Sequence, residues 1–176
     1  MPASVKGGVA LRKSLRAFAP DLSKELPKEI AGALKPIVKS ARGYLPDDSA
    51  VLSGWLPREN SQARFPTYSA RVVKAGVGYK TTPSKPNRRG FRALAQIRNR
   101  SAAGAIYETA GRRAPGTKPS SRPNFATAMG PLTGAGKEQG RLIYKAWEKD
   151  YGNATKAVLK AIDNAGKTFN ATVGKR

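Results

Sequence analysis

Apolar residues at helical spacing occupy the two ends of this chain, which limits it to helices flanking a short extended middle. Leu11, Leu15 and Phe18 make a brief amphipathic turn that Pro20 ends. Leu22, Leu26, Ile30, Leu34, Ile37/Val38 and Ala41 then form one stripe, with Lys24, Lys28, Lys35 and Lys39 opposite. Pro27 suits a first turn, whereas Pro36 should kink or interrupt the helix, giving a bend near Lys35, and Gly43 is placed to be its C′ residue. At the other end Leu142/Ile143, Ala146/Trp147, Tyr151, Ala154, Val158, Ile162 and Ala165 predict a long closing helix. Gly152 and Asn153 mark a weak point in it, and the small, basic tail 166–176 is expected to fray.

Between these ends, proline and glycine break every run. Residues 44–69 read as irregular chain. Val73, Ala75, Val77 and Tyr79 alternate with polar positions and predict a half-buried strand, weakened by Gly76 and Gly78. A proline-containing basic segment over 80–90 reads as an exposed hairpin loop, followed by a second alternating strand at Phe91, Ala93, Ala95 and Ile97. Residues 105–108 form a third short element, and 111–125 a polar, basic loop. The expected fold is α+β: a short antiparallel sheet between an N-terminal amphipathic helix and a long C-terminal helix, in a single domain over 1–176 with an arm at 1–10. A hydrophobic share of 39% is enough for one modest core.

Charge narrows the function. Lys and Arg number 33 against 11 Asp and Glu, a net charge of +22, while His and Cys are absent. Without them the chain lacks the commonest general base, a thiolate nucleophile and sulfur ligands for metals, so neither an enzyme nor a cofactor protein is expected. No apolar run reaches the length of a membrane span, and no apolar stretch before Arg12 and Lys13 resembles a secretory signal. The excess charge calls for a polyanionic or acidic partner. It is densest in the middle third, where Lys85, Arg88, Arg89, Arg92, Arg98, Arg100, Arg112, Arg113, Lys118 and Arg122 face the single acid Glu108. Arginine dominates the set, and its planar fork suits phosphate and carboxylate. These ten residues are the candidate contacts to nucleic acid or to an acidic partner, with 85–100 ranked before 112–122.

Other chemistry fits less well. Asp47-Asp48, after Pro46, reads as a turn or helix cap, and Glu148 and Asp163 lie among lysines as on a solvated helix face. Residues 130–137 look superficially like a phosphate loop, but Glu138 stands where Ser or Thr must follow Lys137. Glu108 reads as one half of a structural ion pair. Zinc-finger spacing, a stacking strand and a basic zipper are all missing, which leaves diffuse positive charge acting on phosphate backbones by field.

The order of segments resembles a known family. An amphipathic helix leads into Pro46, Asp47, Ser49 and Gly54, ahead of Trp55. Two basic strands follow, then a Tyr-Glu…Gly segment at Tyr107, Glu108 and Gly111. A loop at Pro115, Gly116, Thr117, Pro123 and Phe125 precedes the long closing helix. This resembles the tail-completion, or head–tail joining, proteins of long-tailed bacteriophages, including relatives from actinobacterial phages, over residues 20–165. In that family the Tyr-Glu segment is a strand.

The resemblance implies a non-enzymatic virion protein of the neck, at the interface of head and tail, assembled in the host cytoplasm. It would form a ring with copies of itself, commonly sixfold, around the channel that double-stranded DNA traverses. Its other partners would be portal, adaptor or stopper proteins on one side and tail-tube or terminator proteins on the other. A tail terminator or another neck layer is the near alternative. A free, sequence-independent nucleic-acid-binding protein is the alternative of a different class, supported by the charge alone.

Overall fold

The structure, a computed structural model, describes residues 8–47, 68–112, 129–135 and 138–173. Helix α1 runs over Gly8–Phe18, so its first turn already occupies the end of the segment expected as an arm. Pro20 then opens helix α2, Pro20–Gly43, at a position where its missing N–H is no loss. Ala19 alone separates the two helices, and Ser23 N–H donates across the step to Ala19 C=O at 3.0 Å. Helical conformation continues through Pro27 and Pro36, so of the two outcomes expected at Pro36, a kink or an interruption, the interruption does not occur. Packing of the apolar stripe outweighs the hydrogen bond that proline forfeits. Leu26, Ile30, Leu34, Ile37, Val38 and Ala41 are all buried. Gly43 is the last helical residue and keeps a negative φ, so it is not a left-handed C′ residue.

Two sequence expectations are corrected in the middle of the chain. Residues 70–76 form helix α3, Ala70–Gly76, and only Val77–Lys80 is extended, as strand β1. Ser69 caps α3 by accepting from Val72 N–H at 3.5 Å, and Ala75, expected on the buried face, is exposed. The Tyr107-Glu108 segment, a strand in the resembled family, lies in helix α4, Ala102–Thr109. Ser101 nucleates it by accepting from Gly104 N–H at 3.0 Å, and is itself held by Asn99 Oδ1, which accepts from Ser101 N–H and Oγ–H. Gly104 lies under the Asn99 side chain, where a β-carbon would overlap it.

Strand β2 spans only Gln96–Asn99 and pairs with β1 in a two-stranded antiparallel sheet. The second strand expected from Phe91 onward therefore starts late, and the connection between the strands is residues 81–95. The closing helix is divided as its weak point foretold. Helix α5 is Ile143–Lys149 and helix α6 is Asn153–Val173. Between them Tyr151 (φ 51°) and Gly152 (φ 79°) both take left-handed backbone, a conformation easy for glycine and strained for tyrosine. Helix α6 continues well past Gly166, into the segment expected to fray.

The contacts gather into two compact units. One comprises Met1–Pro36, Tyr79–Gln96 and Gly152–Arg176, the other Ile37–Gly78 and Ile97–Tyr151. In the first, α1 packs with α6, and Leu15, Leu26, Ile30, Leu34, Ala154 and Ala161 are buried. In the second, α3 packs with α4, and Val73, Val77, Ala103, Tyr107, Leu142 and Ala146 are buried. Among the described residues no helix is long and apolar enough to cross a membrane.

Candidate polyanion interface

The loop over 81–95 is hydrogen-bonded along its length although it carries no regular secondary structure. Arg12, from α1, donates to Thr81 C=O at the root of the loop. Ser84 bridges the two arms. Its N–H donates to Ala93 C=O, its Oγ accepts from Ala93 N–H, and its carbonyl accepts from Arg92 Nε, all at 2.9 Å.

Asn87 builds the tip. Its N–H donates to Phe91 C=O and its carbonyl accepts from Gly90 N–H, each at 2.9 Å, which closes a four-residue turn. Its side-chain Oδ1 accepts from both Arg89 N–H and Phe91 N–H at 2.9 Å. Gly90 takes a φ of +74°, which glycine adopts without strain. Asn first and Gly fourth are favoured residues for such a turn, so the Asn-x-x-Gly spacing was the signal that could have located the tip from sequence.

Lys85, Arg88, Arg89 and Arg92 are all exposed on this loop. The side chains of Lys85, Arg88 and Arg89 have no bonded partner among the described residues. Arg98, on β2, and Arg100, just after it, are also exposed. From Asn60 to Tyr107 the sequence holds no Asp or Glu. The structure thus brings four of the ten candidate residues onto one ordered loop and leaves two more exposed at the second strand.

Arg112 is held differently from the loop arginines. It is half-buried, its Nη2 donates to Gln139 C=O and its guanidinium stacks 4.8 Å over the Tyr144 ring. Arg113, Lys118 and Arg122 lie outside the described residues, as do Asp48, Ser49, Gly54, Trp55 and the loop at 113–125.

A second polar cluster is structural. Glu108 is 5% exposed, and its carboxylate accepts Leu142 N–H at 2.6 Å and Tyr144 N–H at 2.9 Å, capping the start of α5 from another element. Its main partners are thus backbone N–H groups rather than the arginine that the sequence led one to expect. Burial raises the Glu108 pKa, opposed in turn by the backbone N–H groups of Tyr144, Leu142 and Ile143 and by the charge of Arg112. Gly140 packs so tightly on this carboxylate that a β-carbon would overlap it.

Arg141, also 5% exposed, donates to the carbonyls of Gly130, Tyr107 and Ala110 at 2.8, 3.0 and 2.8 Å. Two of those carbonyls end α4, where a cation is favourable. Nothing in the sequence distinguished Arg141 from the surface arginines. The glycine-rich stretch before it makes an antiparallel bridge, Thr133 with Gly140, by reciprocal bonds of 2.9 Å.

No family model, no curated protein and no solved structure matches this chain.

Proposed function

We propose that the protein is a non-enzymatic structural component of a bacteriophage neck, forming a ring that joins the DNA-filled head to the tail. The order of segments described above motivates the family, and one structural observation supports the role. The 81–95 loop carries Lys85, Arg88, Arg89 and Arg92 on a hydrogen-bonded frame, within a run from Asn60 to Tyr107 that holds no Asp or Glu. A ring enclosing a DNA path gains from cations borne on ordered loops, since they attract phosphate by field without reading bases. Its partners would be copies of itself, the portal or adaptor layer, the tail-tube or terminator layer, and the DNA between them. A tail terminator is a variant of the same proposal.

Light scattering on the chromatographic peak in moderate salt, with negative-stain imaging, tests this reading. Closed rings with a hole of duplex width or more are expected. A monomer that binds free DNA tightly, with a steep log–log salt slope, overturns the neck reading in favour of a free nucleic-acid-binding protein.

A further inference from the structure

We propose that the turn at residues 87–91 is a preformed grip for the phosphates of duplex DNA. Arg88 and Arg89 would be its contact residues and Asn87 a positioning residue. The inference deepens the reading above and rests on it for the choice of DNA as partner. Its basis is a juxtaposition that charge alone does not require. Two adjacent arginines occupy the centre of a turn whose backbone is fixed by four hydrogen bonds of 2.9 Å, all made by Asn87.

Exposed arginines on a flexible loop must be ordered when they bind, and that ordering weakens affinity. Here the backbone beneath them is already ordered, with Gly90 supplying the left-handed residue that the turn needs. Guanidinium forks bind phosphate oxygens in pairs, which makes arginine better suited than lysine to a tip of this kind. Arg92 is tied back to Ser84 C=O and stiffens the arm behind the tip. Phe91, whose N–H and C=O both bond Asn87 at the end of the turn, is itself half exposed at 50%.

The test is fluorescence anisotropy of a labelled 30-base-pair duplex of mixed sequence with the full chain, between 50 and 300 mM NaCl. Asn87→Ala leaves the net charge unchanged. Arg88→Gln with Arg89→Gln removes two charges at the tip, and Lys156→Gln with Lys160→Gln removes two from exposed positions on α6. The arginine pair is expected to weaken binding by at least about tenfold and to flatten the salt slope by about 2. Asn87→Ala is expected to weaken binding severalfold with the slope unchanged, because the same phosphates are met by a less ordered tip. The lysine pair is expected to have a clearly smaller effect than the arginine pair.

The proposal is overturned if wild type fails to bind the duplex, if Asn87→Ala binds as wild type, or if the two charge-removal pairs behave alike. Displacement of the duplex by polyglutamate at equal charge concentration also overturns it, by showing that the tip reads charge and not phosphate. Ring formation by the same variants is read in parallel. Rings without a tip effect would leave the neck reading standing and remove this one. A tip effect without rings would do the reverse.

Discussion

Burying Glu108 costs its carboxylate the solvation of water, and the N–H groups at the start of α5 return part of it. Because the folded-state pKa is raised, the native state holds the proton to higher pH than the unfolded chain does. The associated stability is fully present below the ordinary glutamate pKa and is lost as pH rises through the folded-state value. Glu108→Gln removes that titration. Chemical melts of the variant and wild type at a series of pH values from 4 to 7 are therefore expected to show the difference moving in favour of the variant as pH rises. Two curves that stay parallel across this range would show that Glu108 ionises alike in both states. The same residue illustrates what sequence can miss. As the lone acid of a basic stretch it stood out, but its partners are main-chain groups of residues 142–144, invisible to a reading of side-chain charges.

At the level of elements, α2 decides between two opposing influences. Proline in a helix interior is about 3 kcal/mol less favourable than alanine, yet the helix passes Pro36. The buried stripe of Ile30, Leu34, Ile37 and Ala41 on either side holds it in place. Pro36 is exposed, so its removal leaves no cavity. Pro36→Ala is expected to raise stability by about 1–3 kcal/mol, the lower figure allowing for the freedom alanine restores to the unfolded chain. Equal or lower unfolding midpoints in denaturant would mean that this position needs proline's geometry. Helix α3 shows the opposite case. The alternation of Val73, Ala75, Val77 and Tyr79 reads as strand, whereas the cap at Ser69 commits Ala70–Gly76 to helix.

For the molecule as a whole, a charge of +22 is the dominant electrostatic fact. Among the described residues the ion pairs on α2 and α6, Lys24–Asp21 at 3.8 Å and Lys167–Asp163 at 2.7 Å, join exposed neighbours of one helix and do little to offset it. Self-repulsion weakens the folded state most at low ionic strength, where screening is longest in range. The melting temperature is accordingly expected to rise between 20 and 300 mM NaCl, as measured by circular dichroism. A melting temperature independent of salt would mean that the cations are too widely spaced to repel one another.

The apolar stripe of α2, the stop at Pro20 and the break before Asn153 were legible because each rests on local chemistry. Periodicity, a fixed proline φ and glycine's backbone freedom all act within a few residues. So was the concentration of cations over residues 85–100. The tertiary structure alone decided which arginines beyond that stretch are drawn onto carbonyls and rings. Arg88 and Arg89 are carried on the Asn87 turn, Arg112 is drawn onto Gln139 and Tyr144, and Arg141 is buried at the end of α4. All four carry the same charge in the sequence. What separates them is whether the fold places carbonyl oxygens and aromatic faces within reach of the guanidinium, and such long-range placement leaves no trace in local spacing.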